Sequence, residues 1–319
     1  MSQFSQLFPP CPKFTDKDVP DQSGKVFIVT GGASGVGFEV SRILYEKNST
    51  VYIAARTASK VDNAIENIKK QCTASRGRLE PLVLDLANPD TIKPAVESFI
   101  SKERRLDVLF NNAGVMGTGP DEKTPQGYEL QMGTNALGPF LLTRLLEPVL
   151  LSTAAQQTSF GNVRIVWVGS MLDIGTPKGG VVWNPETNEP SLHPDMMANY
   201  MQSKAGITFL GLEFAKRLGD KGILSVSLHP GMMKTELQRN FPAPGVVFKG
   251  PTHGAYTELF AGFSTSITNK ENGRYIIPWG RLGSVPEHME GGTRSKEEGG
   301  TGLSEKFWNW CEATTLPYQ

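Results

Sequence analysis

The sequence has few cysteines, no excess of either charge and no long apolar run. Its three cysteines, Cys11, Cys72 and Cys311, lie far apart. An odd, scattered set is typical of a reducing compartment and excludes a disulfide framework. Lys and Arg number 32, as do Asp and Glu, so the formal net charge of zero offers no basic surface for nucleic acid. The four histidines show no metal-ligand spacing such as HExxH, and we expect no metal site.

No apolar run reaches the roughly 20 residues that a membrane-spanning helix needs, so we expect no membrane span. The segment 1–25 lacks a basic head followed by an apolar core, so we expect no secretory signal peptide and a cytoplasmic protein. The chain of 319 residues is 39% hydrophobic and 20% charged. This composition is typical of a globular protein with one large domain or two ordinary ones.

Short apolar runs alternate with longer helical patterns along the chain. Between the runs, apolar residues such as Val61, Ala64 and Ile68 recur at helical spacing. Repeated strand–helix–strand units imply parallel strands covered on both faces, so we predict an α/β fold, a doubly wound parallel sheet in a single domain. A further run at 273–280 predicts the edge strand. The six buried strands are predicted at 25–30, 50–55, 79–85, 106–112, 163–169 and 223–230.

Two segments lie outside this pattern. The N-terminal arm is proline-rich, and we expect it to lie over the surface. The segment 281–304 is rich in glycine and charge and is predicted to be loop, whereas Phe307, Trp308 and Trp310 are apolar enough to dock the tail on the body. The predicted boundaries are 1–23 for the arm, 24–280 for the domain and 281–319 for the C-terminal loop and tail.

The first predicted strand ends in TGGASGVG (30–37), and an apolar-faced helix follows. Gly31 can make the sharp turn, Gly35 can let the backbone approach a pyrophosphate, and Gly37 can let the helix pack on the strand. The helix N-terminus offers free N–H groups and a positive dipole end to phosphates. Tight turns need glycines in any case, but the position between the first strand and a helix favours a dinucleotide site in a Rossmann sheet.

The end of the second predicted strand indicates which dinucleotide binds. An NAD site carries an acid about 20 residues beyond the glycines, which holds the ribose hydroxyl. This strand ends in AARTASK, without an acid. Arg56 stands at that place and can accept the 2′-phosphate of NADP(H), with Lys60 close enough to join it. An arginine that merely tops a strand in solvent is the alternative; the missing acid favours NADP(H).

Several short motifs follow one another along the chain. They are the loop at 30–37, DL at 85–86, NNAG at 111–114, Asn135, Ser170, YMQSK at 200–204 and HPGMMKT at 229–235. In these motifs and their order the chain resembles the short-chain dehydrogenase/reductase family over about residues 24–280. The resemblance implies an adenine contact at Asp85, cofactor ribose contacts at 112–114 and a nicotinamide contact in the turn 230–235. The predicted cofactor-binding set is Gly31, Ser34, Gly35, Val36, Gly37, Arg56, Lys60, Asp85, Leu86, Asn112, Ala113, Gly114, Tyr200, Lys204, Pro230, Gly231 and Thr235.

Tyr200 and Lys204 lie four residues apart and therefore share a helix face. Reduction of a carbonyl needs a hydride, which NADPH gives, and a proton, which a side chain must give. A free tyrosine has a pKa of about 10, and a neighbouring cation lowers it. We therefore predict Tyr200 as the proton donor and Lys204 as the group that lowers its pKa. Ser170 ends its strand and can bind the substrate oxygen, although a cap is the commoner role for such a serine.

The fourth predicted catalytic residue, Asn135, lies in a long apolar helical stretch at about 127–151. Asparagine is unfavourable inside a helix. Pro139 has no N–H and cannot bond the Asn135 carbonyl four residues before it. That carbonyl could hold a water that links Lys204 to solvent, as the asparagine of the family tetrad does. The alternative is that Gly138 and Pro139 break the segment into two helices.

A turn-rich insert, the substrate loop 171–199, separates Ser170 from Tyr200 and is predicted to form one wall of the substrate pocket. A second substrate loop, 232–250, follows the cofactor turn and is predicted to form the other. Adaptable methionine and aromatic side chains suit a bulky apolar substrate, although they could also serve only to pack the loops down. These side chains are Trp183, Met196, Met197, Met232, Met233, Phe241 and Phe248.

Together these features predict an NADPH-dependent reductase of a ketone or aldehyde in a bulky, largely apolar small molecule, reversible as an alcohol dehydrogenase. The tail is similar to fungal family members, many of which act in secondary metabolism, and NALGPFLLT resembles the retinol-dehydrogenase-like branch. A non-redox cyclase or isomerase and a cofactor-binding regulatory protein stay open as alternatives. We expect a homodimer through the helices near 127–151 and 198–219, or a monomer if the insert and tail cover that surface.

Overall fold

The computed structural model describes residues 4–119, 121–157, 159–235, 237 and 248–319. Its strands are β1 (Val26–Thr30), β2 (Thr50–Ala55), β3 (Arg78–Val83), β4 (Val108–Asn111), β5 (Val163–Val168), β6 (Ile223–Leu228), β7 (Tyr275–Ile277) and β8 (Arg281–Leu282). Its α-helices are α1 (Phe4–Leu7), α2 (Gly35–Glu46), α3 (Ala58–Gln71), α4 (Pro89–Lys102), α5 (Leu130–Met132), α6 (Gly138–Ala155), α7 (Met196–Leu218), α8 (Pro251–Phe263), α9 (Glu287–Thr293) and α10 (Leu303–Thr315).

The strands form one sheet in the order β3-β2-β1-β4-β5-β6-β7-β8. Strands β1 to β7 pair in parallel, with Ile28 of β1 opposite Tyr52 of β2 and Leu109 of β4. The chain order reverses between β1 and β4, and ligands of doubly wound sheets bind in the crevice beyond the strand ends at such a point. The predicted α/β, doubly wound, single-domain fold is confirmed.

Each face of the sheet carries its own core because successive strand residues point to opposite sides. Val26 and Ile28 lie in the core covered by α4, α6, α7 and α10, whereas Phe27 and Val29 lie in the core covered by α2, α3 and α8. All four of these strand residues are 4% exposed or less. A strand buried on both faces needs apolar residues at every position, which explains why the predicted strands lack alternation.

The prediction of the sheet edge is wrong. β7 is shorter than the predicted run 273–280, and β8 pairs with it antiparallel on its outer side. The segment 281–304, predicted to be loop, contains β8 and α9. The helix α9 reads EHMEGGT, in which Met289 is the one buried large apolar residue, so its sequence carries little periodic signal.

The C-terminal helix α10 packs on α6 and α7. The Trp308 ring lies 4.9 Å from the Phe140 ring and 4.5 Å from the Phe214 ring, and Phe307 covers Gly206 so closely that a Cβ there would overlap its ring. Trp308 is 6% exposed. The tail therefore covers part of the surface formed by α6 and α7.

The helices α5 and α6 belong to one helical rod, Leu130–Ala155, joined by a π-helix at Gly133–Leu137. By length and hydropathy this rod could cross a membrane, so the expectation that no segment reaches that length needs correction. Its apolar window is 61% buried inside the protein, where it packs against α4 and α10.

The described part of the N-terminal arm lies against the C-terminal half of the chain. Gln6 Oε1 is 2.8 Å from His229 Nε2, and the Arg281 guanidinium donates to the Ser5 carbonyl at 2.7 Å. Phe14 meets the ring of Phe260 on α8 edge to face at 5.7 Å.

Candidate active site

The glycine loop between β1 and α2 forms a cradle for phosphate. Gly31 has φ +66° and Gly35 φ +56°, a left-handed conformation that suits glycine. A Cβ at Gly37 would lie 2.6 Å from the Gly31 carbonyl oxygen and 2.5 Å from Asn112 Nδ2. Ser34 occupies the N-cap of α2, and its side chain makes no cap hydrogen bond with any described residue. The first-turn N–H groups of α2 therefore suit a bound anion.

The end of β4 is tied to this loop. Asn112 Nδ2 donates to the Thr30 carbonyl at 2.7 Å, and the Thr30 hydroxyl accepts from the backbone N–H groups of Asn112 and Ala113 at 3.0 Å. These bonds place the NNAG segment beside the glycine turn at the point where the strand order reverses. Sequence motifs about 80 positions apart thus share one crevice.

A cleft of about 730 Å³ runs along this crevice. Of the predicted site residues, the two that do not line the cleft are Gly37, which packs α2 on the loop, and Asn135, which lies behind Gly114. The cleft wall contains Gly31, Ser34, Gly35, Val36, Arg56, Lys60, Asp85, Leu86, Asn112, Ala113, Gly114, Ser170, Tyr200, Lys204, Pro230, Gly231 and Thr235. The glycine loop and the helix N-terminus in its wall fit a dinucleotide.

Two cations stand where β2 meets the cleft. Arg56 follows β2 directly and Lys60 lies in the first turn of α3; both are exposed and line the cleft. Neither forms a salt bridge with the part of the chain that the structure describes. Both charges are therefore available to a ligand.

Ser170 and Tyr200 meet at the other end of the cleft. Tyr200 is 3% exposed and Ser170 is half-buried, and the Ser170 hydroxyl acts to lower the pKa of Tyr200. Ser170 also caps the short 3₁₀-helix Met171–Gly175, because its Oγ accepts from the Leu172 N–H at 3.1 Å. Ser170 therefore caps this helix and also lines the cleft.

Lys204 lies beneath the same end of the cleft. It is 3% exposed, and its Nζ donates to the Val168 carbonyl at 2.9 Å. A Cβ at Gly114 would lie 3.1 Å from this Nζ and 3.2 Å from Asn135 Oδ1. Glycine at 114 thus leaves the ammonium group room at the cleft floor.

The expected lowering of the Tyr200 pKa by Lys204 is not found. Burial raises the pKa of Tyr200 to about 12; the hydrogen bond with Ser170 acts in the opposite direction, and the Asp173 carboxylate raises it further. Burial also lowers the pKa of Lys204 to about 8. Lys204 Nζ is 6.0 Å from the centre of the Tyr200 ring. Desolvation disfavours both charged forms and is the largest cause of each shift.

The Asn135 side chain holds two elements together. Its Oδ1 accepts from the Val115 N–H at 2.8 Å, and its Nδ2 donates to the Val115 carbonyl at 3.0 Å and to Ser203 Oγ at 2.9 Å. The alternative of two separate helices is wrong, because the backbone stays helical through Gly138 (φ −61°, ψ −52°). Asn135 lies in the π-helix, not in a regular α-helix, and the water site at its carbonyl stays a prediction.

The substrate walls differ in part from the prediction. Met197, Met232, Met233 and Phe248 line the cleft. Trp183 does not; its ring packs edge to face on Trp310 at 6.5 Å under Lys306, away from the cleft. Met196 likewise does not line it, and Phe241 lies outside the described residues. Local sequence shows that an insert has apolar residues but not which of them face the cleft.

Further apolar residues complete the walls. They are Val115, Met116, Leu130, Met171, Leu172 and Leu237. The sequence prediction missed them. A signal was available for three of them, because Met171 and Leu172 follow Ser170 directly and Met116 follows the NNAG motif closely.

Fold and site together define a dinucleotide-binding protein with a serine, a tyrosine and a lysine at one end of its cleft. A family model described as short chain dehydrogenase matches residues 25–244. The chain is also 44% identical to a short-chain dehydrogenase/reductase of Phomopsis amygdali, over 99% of this chain and 96% of that protein. The chain therefore belongs to the short-chain dehydrogenase/reductase family of NAD(P)-binding oxidoreductases.

Two solved structures show the same fold. Blue fluorescent protein from a metagenomic library, in complex with NADPH, has a TM-score of 0.61 at 22% identity, with 85% of this chain and 99% of that chain covered. A 3-oxoacyl-acyl-carrier-protein reductase with bound NAD from Brucella melitensis has a TM-score of 0.60 at 20% identity, with 81% and 90% covered. One binds NADPH and the other NAD, so the choice of dinucleotide has to be argued from this chain.

Proposed function

We propose that the protein is an NADPH-dependent reductase of a ketone or aldehyde in a bulky, largely apolar small molecule, and oxidises the corresponding alcohol in reverse. The observation that carries this proposal is the pair of Ser170 and Tyr200 in the wall of the cleft that Lys204 also lines. This pair presents two hydroxyl groups to one substrate oxygen.

The residues that would hold NADPH line the cleft from the glycine loop at one end to Ser170 and Tyr200 at the other. The glycine loop and the N-terminus of α2 would hold the pyrophosphate, and Arg56 and Lys60 the 2′-phosphate. When bound, NADPH supplies the hydride that reduces the carbonyl carbon. Arg56 and Lys60 are exposed and form no salt bridge with the described residues, and no acid follows β2; both features support NADP(H) over NAD(H).

In reduction, Ser170 and Tyr200 bind and orient the carbonyl oxygen, and the Tyr200 hydroxyl gives it the proton. A pKa of about 12 keeps this hydroxyl protonated at neutral pH, which favours the proton-donating role. Oxidation would need the phenolate, whose formation burial disfavours.

Asn135 and Lys204 have supporting roles in this proposal. The Asn135 side chain ties the NNAG segment to α7, the helix that carries Tyr200. Its backbone carbonyl is proposed to hold a water that returns protons towards Lys204. Methionine side chains along the walls support a substrate of adaptable, apolar shape.

The test is NADPH consumption by the purified protein with a panel of apolar ketones and aldehydes. Tyr200→Phe should lower kcat by about 10²- to 10⁴-fold, since it removes the acid, and leave NADPH affinity nearly unchanged. A fully active Tyr200→Phe variant would overturn the role of Tyr200. Tight NADPH binding without turnover of any carbonyl would favour a non-redox enzyme or a regulatory protein.

A monomer and a cytoplasmic place in secondary metabolism complete the proposal. Coverage of α6 and α7 by Trp308 of α10 supports the monomer over the homodimer. The cysteines are all free, one exposed and two buried, which supports a reducing compartment. Light scattering on the purified protein and the position of a fluorescent fusion in the cell test these two points.

A further inference from the structure

A buried carboxyl group lies under the catalytic end of the cleft. Asp173 follows Ser170 by three residues in the 3₁₀-helix Met171–Gly175 and is 0% exposed. Its Oδ2 accepts from Thr208 Oγ1 at 3.1 Å, and the Tyr275 hydroxyl lies 3.5 Å from the same oxygen. Its Oδ1 has no partner among the described residues.

The partners of Asp173 connect it to two catalytic residues. Thr208 follows Lys204 by one turn of α7, and the Tyr275 hydroxyl donates to the Ser170 carbonyl at 3.3 Å. A Cβ at Gly169 would lie 3.6 Å from Asp173 Oδ2. The carboxyl group therefore lies directly beneath the backbone that presents Ser170.

The charge of Asp173 acts on the same residues. Burial raises the pKa of Asp173 to about 7, against the lowering by the Thr208 hydrogen bond and the Lys204 charge. Its carboxylate in turn acts to raise the pKa of Lys204 and of Tyr200. The titratable groups that face it from the surrounding elements are Tyr200 and Lys204 on α7, Tyr275 on β7, Glu258 on α8 through Lys204, and His288 on α9 through Thr176.

We propose that Asp173 is a positioning residue whose carboxylate, buried beneath the backbone that presents Ser170, keeps Lys204 charged. It does not line the cleft and acts only through these neighbours. This inference rests on the proposed function for its catalytic readout, but its electrostatic part concerns Tyr200 and Lys204 whatever the reaction.

The sign of the effect follows from the two couplings. Without the carboxylate, the pKa values of both Lys204 and Tyr200 fall. Carbonyl reduction needs Lys204 charged and Tyr200 protonated, so kcat should fall at high pH. This fall, the alkaline limb of the pH profile of kcat, should move to lower pH. For a buried charge that acts on both residues we expect a shift of about one pH unit. At a pH above the limb this shift is a loss of about tenfold in kcat.

The main variant is Asp173→Asn, which keeps the size of the side chain and an oxygen to accept from Thr208. Its alkaline limb should move down by about one unit, with little change in KM. Thr208→Val keeps the carboxylate but removes a bond that favours its charged form, so it should move the limb the same way by less. The matched control is Asp107→Asn. Asp107 is also a buried aspartate, but it lies at the end of β4 that points away from the cleft. This variant should lower Tm without moving the alkaline limb.

A second readout does not depend on turnover. The phenol of Tyr200 can be titrated by ultraviolet difference absorbance, with Tyr200→Phe subtracted, in the parent and in Asp173→Asn. The Tyr200 titration should move to lower pH in the variant. An unmoved Tyr200 titration in a folded Asp173→Asn protein would overturn the inference. A moved titration in a protein that reduces no carbonyl would overturn the proposed function alone.

Discussion

Replacing Arg56 by alanine is expected to weaken the binding of NADPH selectively. Arg56 and Lys60 stand at the β2 side of the cleft, whereas Tyr200 closes the β5 side. A 2′-phosphate would meet both cations there. A free 2′-hydroxyl, as in NADH, would find no acid to accept its hydrogen bond after β2, so NADH gains little from this end of the site.

The size of the effect follows from the exposure of Arg56. A hydrogen bond to a charged group contributes about 1.5–3 kcal/mol, or about 10- to 150-fold in Kd. Solvent and salt screen an exposed guanidinium, so the lower end of this range is expected. The Kd for NADPH should therefore rise about tenfold in Arg56→Ala, by less at high salt, and the Kd for NADH should change little.

Fluorescence titration of both dinucleotides against the parent and variant proteins measures this difference. Lys69→Ala is the matched control, because Lys69 is an exposed cation on α3 that does not line the cleft. It should leave both Kd values unchanged. Equal losses for NADPH and NADH in Arg56→Ala, or a parent protein that prefers NADH, would refute the assignment of the 2′-phosphate site.

Three further predictions concern packing and pH. Gly37→Ala should lower Tm and abolish NADPH binding, because the new Cβ would collide with the Gly31 carbonyl and Asn112; an unchanged Tm would contradict this packing. Trp308→Ala should lower the free energy of unfolding by about 3–5 kcal/mol in urea titrations, since its ring is buried among those of α6 and α7, and a loss under about 1 kcal/mol would contradict it. Burial raises the pKa of Glu258 from 4.5 to about 8. Between these two pH values the folded state holds a proton that the unfolded chain releases. The free energy of unfolding therefore falls as pH rises from 4.5 to about 8. Glu258→Gln should flatten the fall of Tm over the same window, and a fall as steep as that of the parent would count against it.

Local patterns predicted the fold because the strands β1 to β6 and most helices are encoded in a few consecutive residues. Runs rich in β-branched residues placed β1 to β6, and the glycines at 31, 35 and 37 placed the phosphate cradle. The short elements β8 and α9 were missed. They have two and seven residues, too few for a periodic signal, and pairing with β7 defines β8.

The sequence by itself determined that Tyr200 and Lys204 share a helix face, since a spacing of four residues does so in any helix. Only the tertiary structure decided their pKa values: burial under the cleft raises the pKa of Tyr200 and lowers that of Lys204. It also turned Trp183 towards α10 and brought Asp173 onto Thr208 and Tyr275, 35 and 102 positions away. Backbone geometry is set by neighbours in the chain, whereas desolvation and charge depend on every group that folding packs nearby.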